Sequence, residues 1–233
     1  MALVTKNVSF ASGNRQLEGF FAQPEGEGPF PGLVVIHEVW GLTENMRYWA
    51  RRFADAGYAA LAVDLFTGRS KAICMFRMMS GMLLNSLNHQ GIADLKATLN
   101  FLEAQPSVDR ERVGAVGYCM GGSLAIAWSC ADNRLKAIAP YYATNPKPQE
   151  ALKRLCPVVG SYPGKDFTAK HGQQLDTALD QYGIAHDIKI YPGAKHAFCN
   201  EDRKNAYNQD AAEDSWERVL AFFGEHIQSK ATV

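Results

Sequence analysis

The 233-residue sequence has no apolar stretch near the roughly 18 residues that a bilayer span requires. Its opening segment, Met1 to Val8, carries no apolar run of signal-peptide length. Charge of either sign is not in excess: 24 Lys and Arg offset 24 Asp and Glu. A neutral balance leaves no electrostatic footprint for nucleic acid or an anionic membrane. The five cysteines (Cys74, Cys119, Cys130, Cys156, Cys199) are odd in number and scattered, with no CxxC. A disulfide framework and a structural zinc site are therefore not expected, and no histidine pair has HExxH spacing, so no metal is predicted. Repeats, low-complexity tracts and charge runs are also missing. These absences point to a cytoplasmic protein with neither membrane nor nucleic-acid partner, a monomer or a weak homo-oligomer. What is present, 47% hydrophobic and 21% charged residues, is ordinary for a globular chain. The length suits one domain over residues 1–233.

Residues 3–10 and 16–23 alternate loosely around Ser12-Gly13-Asn14, which predicts an opening hairpin. Leu33 to Ile36 is then wholly apolar, the pattern of a parallel strand buried on both faces. Met46, Trp49, Ala50 and Phe53 follow at helical spacing, with Gly57 placed to end the helix. The alternation continues: strand 58–63, a helix marked by Ile92, Leu95, Leu99 and Leu102, strand 113–116, an all-round apolar helix 121–131, strands 137–142 and 157–159, helix 168–182, strand 188–191, and a last helix through Trp216 and Phe223. Parallel strands need helical crossovers, so the expected fold is three-layer α/β, with antiparallel pairing confined to the first strands. Residues 65–90, rich in Met, read as a lid or as a loop holding a helix.

The most informative stretch is Val113-Gly-Ala-Val-Gly117-Tyr-Cys119-Met-Gly121-Gly122. A strand runs into G-x-C-x-G and then into a helix, the context of a nucleophile elbow with Cys in place of Ser. The glycines answer a steric demand, because a Cβ two residues either side of the nucleophile would meet neighbouring backbone. The turn sets the sulfur at a helix N-terminus, where the dipole favours a thiolate and the N–H of Met120 is free for an oxyanion. A buried structural cysteine in a tight turn would give the same pattern, so partners decide. In this fold the order is nucleophile, acid, His. Asp166 lies in Gly164-Lys-Asp166 just beyond the strand at 157–159, where it reads either as that acid or as a helix N-cap. His196 lies in Pro192-Gly-Ala-Lys-His196-Ala-Phe198 beyond strand 188–191. Three signals in order, each after its own strand, favour a catalytic reading. The loop His37-Glu38-Val39-Trp40-Gly41 should flank the elbow and supply a second oxyanion donor, the N–H of Val39. Glu38 there either faces solvent or raises the thiol pKa and holds it neutral.

On these motifs the chain resembles the dienelactone hydrolase family from about residue 16 to about 223. The resemblance implies an α/β-hydrolase fold and a cofactor-free hydrolase of small esters or lactones. It implies Cys119 as nucleophile, His196 as base, Asp166 as orienting acid, and Glu38 as a glutamate that pairs with the resting thiol and swings away when substrate binds. Members that take the anionic dienelactone carry an arginine soon after the Phe of the His loop. Here Phe198-Cys-Asn200-Glu-Asp-Arg203 displaces it and leaves Asn200 uncharged. Trp40, Phe198, Arg77 and Arg203, with Arg69, are the expected pocket residues. The alternatives are a carboxylesterase or thioesterase acting on a neutral ester, and a non-catalytic ligand-binding protein in which Cys119 is silent. A cysteine amidotransferase or peptidase lacks this elbow–Asp–His order.

Overall fold

The computed structural model describes residues 2–68 and 70–228. Among these residues eight strands form one sheet: β1 (Leu3–Ser12), β2 (Arg15–Pro24), β3 (Phe30–Ile36), β4 (Ala59–Asp64), β5 (Val108–Tyr118), β6 (Ala137–Tyr141), β7 (Val158–Pro163) and β8 (His186–Tyr191). Their spatial order is β1-β2-β4-β3-β5-β6-β7-β8. The first two strands pair antiparallel, and β2 runs antiparallel to β4; every other neighbouring pair is parallel.

Among the described residues, six α-helices cover the sheet: α1 (Glu44–Asp55), α2 (Lys71–Leu84), α3 (Gln90–Glu103), α4 (Met120–Ser129), α5 (Thr168–Tyr182) and α6 (Gln209–Phe223). The period-two geometry of a strand divides the core between the two faces. Along β3, Val34 and Ile36 join the cluster beneath α3, α4 and α5, whereas Leu33 and Val35 join that beneath α1 and α6. This is why the central strands read as unbroken apolar runs: both faces are buried. All ten residues of α4 are buried, which accounts for its lack of a polar face.

Two strands begin earlier than the sequence reading placed them. Strand β5 begins at Val108 rather than Val113, through the polar Asp109-Arg-Glu-Arg112, and β3 begins at Phe30 with a register shift between Pro31 and Gly32. Residues 65–90 hold a fourteen-residue helix, α2, as the loop-with-helix alternative expected. The half-buried His89 accepts from the Gly91 N–H through Nδ1 and so caps α3. No described helix is long and apolar enough to cross a membrane.

Candidate active site

The chemistry-bearing loops all leave the sheet at the C-terminal ends of parallel strands, where open α/β sheets gather their ligands. Cys119 follows β5 and precedes α4. Its backbone sits at φ 57°, ψ −117°, a region costing about 1–3 kcal/mol for a residue with a side chain. The surrounding glycines make that turn feasible. A Cβ on Gly117 would lie 2.1 Å from the Gly121 carbonyl oxygen, and one on Gly121 would lie 2.3 Å from that of Ile36. The elbow therefore packs directly on the end of β3, which brings the His37–Gly41 loop beside the sulfur.

The half-buried sulfur accepts a hydrogen bond from the Met120 N–H at the start of α4. Burial pushes the thiol pKa up to about 11, and the charge of Glu38 adds to the rise. The Met120 N–H opposes it and loses. The helix N-terminus therefore does not make a resting thiolate here: desolvation and a neighbouring carboxylate outweigh it.

Glu38 is buried, which overturns the solvent-facing alternative. Its Oε1 accepts from the Tyr142 hydroxyl at 3.2 Å, and its Oε2 accepts from Asn200 Nδ2 at 3.2 Å. Tyr142 follows directly on β6 at φ 39°, and burial holds its phenol well above the ordinary value, so it remains a donor. Beneath Glu38, the fully buried His37 accepts from the Leu65 N–H at Nε2, 3.1 Å, which leaves Nδ1 to donate to the Glu38 carbonyl. The loop is thus tied to the end of β4 as well.

Asp166 and His196 meet as their strand positions require. His196 Nδ1 lies 3.1 Å from Asp166 Oδ2. The other carboxylate oxygen, Oδ1, accepts from both the N–H (2.9 Å) and the hydroxyl (2.6 Å) of Thr168 at the start of α5. Asp166 therefore holds the His196 ring with one oxygen and the start of α5 with the other. Burial alone would raise the Asp166 pKa, but the Thr168 and His196 hydrogen bonds carry it below the usual carboxylate value. The imidazole lies between two rings, Tyr142 at 4.7 Å and the exposed Phe167 at 6.3 Å, the latter nearly parallel at 9°.

One cavity of about 660 Å³ is lined by Cys119, His196, Glu38, Val39 and Trp40, with residues 202–206 along another part of its wall. In the scan of known families, the profile described as the dienelactone hydrolase family matches residues 17–227.

The chain belongs to the dienelactone hydrolase family.

It is a hydrolase with the α/β-hydrolase fold. A Saccharolobus solfataricus protein named "Putative carboxymethylenebutenolidase" is 32% identical, over 93% of this chain and 97% of its own length. The Aquifex pyrophilus "Protein usf" is 29% identical, over 94% and 98%. Among solved structures, a Klebsiella pneumoniae protein described as a "Putative Dienelactone Hydrolase" superposes with TM-score 0.84 at 27% identity, over 97% of this chain and all of that one.

Within this dienelactone hydrolase family fold, the expected pocket residues divide. Trp40 and Arg203 line the cavity together, the guanidinium 4.8 Å from the centre of the indole. Phe198 does not line it: its ring is fully buried against Tyr141, Tyr142 and Tyr191, because the turn at Ala197 (φ 64°) sends His196 and Phe198 to different sides. Arg77 does not reach it either. It lines a separate cavity of about 240 Å³ with Arg15, Cys74 and His89, because α2 lies along α3. Arg69 lies outside the described residues. The sequence reading missed Tyr142, Phe167 and the bracing role of His37. Tyr142 had a legible signal, since the sequence places it at the end of the predicted strand 137–142, on the same rim as Cys119; Phe167 had none.

Proposed function

We propose that the chain hydrolyses small carboxylic esters or lactones through a Cys119 acyl-enzyme. The observation that carries this reading is the Asp166–His196 hydrogen bond opening on the same cavity as the strained Cys119 turn. A passive binding protein has no use for a carboxylate-oriented base beside a cysteine.

With Nδ1–H donating to Asp166, His196 keeps Nε2 as the base. Arriving substrate displaces Glu38, and the thiol proton passes to His196 Nε2. The thiolate attacks the carbonyl carbon, whose π electrons move onto oxygen. The N–H groups of Met120 and Val39 receive that oxyanion; losing one such donor typically costs about 10²–10³ in rate. Collapse expels an alkoxide or enolate, which takes the proton from the imidazolium. Water, giving its proton to His196, then cleaves the thioester, releases the acid and restores the thiol. Between turnovers the raised thiol pKa keeps the sulfur neutral and slow to oxidise.

The cavity has the volume of a small-molecule site. Arg203 and Lys204 on its wall are the cations positioned to meet a substrate carboxylate, in place of the arginine that Asn200 replaces.

The test is hydrolysis of p-nitrophenyl acetate and cis-dienelactone by the wild type and by Cys119→Ala. Turnover of either compound by the wild type alone supports the proposal, and the ratio of the two rates tells whether an anionic lactone or a neutral ester lies closer to the natural substrate. Two equally inert proteins would remove Cys119 from the chemistry and leave a ligand-binding role in front.

A further inference from the structure

Helix α2 is apolar over most of its circumference, Lys71-Ala-Ile-Cys-Met-Phe-Arg-Met-Met-Ser-Gly-Met-Leu-Leu84, yet a single chain covers only one side of it. Cys74 and Met78 are buried, and Gly81 and Gly91 let the helix sit close against His89 and α3. On the opposite side stand Ile73, Met75, Phe76, Met79, Leu83 and Leu84, all exposed, with Phe76 at 74%, Leu83 at 70% and Leu84 at 83%. Helical spacing places these six on the half-turn facing away from the core. Elsewhere, exposed large apolar side chains occur singly along the described chain: Val4, Trp40, Tyr48 and Phe167. A helix that is hydrophobic all round is ordinarily buried all round, and soluble monomers rarely expose so large a contiguous patch.

We propose that this face of α2 is the interface between two copies of the chain, packed as an isologous helix pair. The area fits. Taken together the six exposures amount to nearly four fully exposed large side chains, roughly several hundred Å² of largely apolar surface per copy, the order of the ~800 Å² each partner gives to a standard interface. The charge fits as well. The formal net charge of the chain is zero, so no long-range repulsion opposes self-association. Arg77 is the only charged residue between Ala72 and Leu84. A membrane surface is the poorer occupant: interfacial helices set a Lys/Arg-rich polar face opposite the apolar one, and here the opposite face is docked on α3. The surface is separate from the cavity at Cys119, so it stands whether or not the hydrolysis proposal does.

The test is sedimentation velocity of the full chain across the micromolar range, beside the double variant Phe76→Glu/Leu83→Lys. Both sites are highly exposed, so the variant should fold, and its unfolding midpoint in urea checks that it has. A wild-type dimer that becomes a monomer in the variant supports the proposal. A wild type that remains monomeric at every concentration overturns it, as does a variant that stays dimeric. Flotation with vesicles of neutral and anionic lipid is the companion measurement: a monomer that floats would assign the face to a membrane and overturn the proposal equally.

Discussion

Replacing Glu38 by Gln should lower the Cys119 pKa. The thiol stands at about 11, raised by burial and then by the Glu38 charge, so at pH 8 about one sulfur in 10³ is ionised. A neighbouring charge typically moves a pKa by about one to three units. Even the lower figure takes the midpoint to about 10 and multiplies the thiolate population tenfold. Intrinsic nucleophilicity falls with pKa at a slope of about 0.5, so the alkylation rate near pH 8 should rise only about threefold. The pH midpoint is thus the sharper readout. Gln keeps an oxygen for the Tyr142 hydroxyl but turns an amide N–H toward Asn200 Nδ2, so the variant should lose about 1–3 kcal/mol of stability. The assay is iodoacetamide alkylation between pH 7 and 11, with mass spectrometry locating the label. Cys130, Cys156 and Cys199 are pushed up to about 12, so Cys119 should react ahead of them. A midpoint that stays put or moves upward in the folded variant would refute the reasoning, because the Glu38 charge would then not be felt at the sulfur.

Gly121→Ala should destabilise the fold by about 3 kcal/mol or more, since its Cβ meets the Ile36 and His37 carbonyl oxygens at 2.3 and 2.7 Å and backbone cannot step aside. Gly193→Ala, with nothing within 4 Å, should change stability by no more than about 0.5 kcal/mol; equal urea midpoints for the two variants would contradict this. Acid should also weaken the fold. The carboxyls of Asp132, Asp166 and Asp214 lie below their ordinary 3.8. Their folded values are depressed, so their contribution is complete above about pH 4 and is lost as pH falls through the lower folded values. The melting temperature should drop steeply below pH 4, and a flat profile down to pH 2 would count against it.

The alternation of strands and helices was legible in the sequence because its cause is local. A strand buried on both faces must be continuously apolar, as Leu33–Ile36 is, and an amphipathic helix must repeat as Met46, Trp49 and Phe53 do. The elbow was legible for a related reason: steric demand at Gly117 and Gly121 leaves glycine as the residue that fits, and such demands are written into the chain. Chain order then brought Asp166 and His196 to adjoining loops, since β7 and β8 are neighbours in the sheet.

Where a side chain's role depends on what packs over it, the sequence was silent or misleading. Phe198 and Arg77 were plausible pocket residues by type, and only the turn at Ala197 and the lie of α2 along α3 sent them elsewhere. The dipole at the start of α4 suggested a thiolate; tertiary burial and Glu38 decided for a neutral thiol. Tyr142 and Asn200 lie 104 and 162 residues from the carboxylate they hold, and no local pattern joins them to it. Sequence by itself determined the backbone frame and the order of reactive groups, because period and sterics act between near neighbours. Tertiary structure alone decided the protonation of the thiol, the cavity wall and the bare face of α2, because desolvation and contact belong to residues distant along the chain.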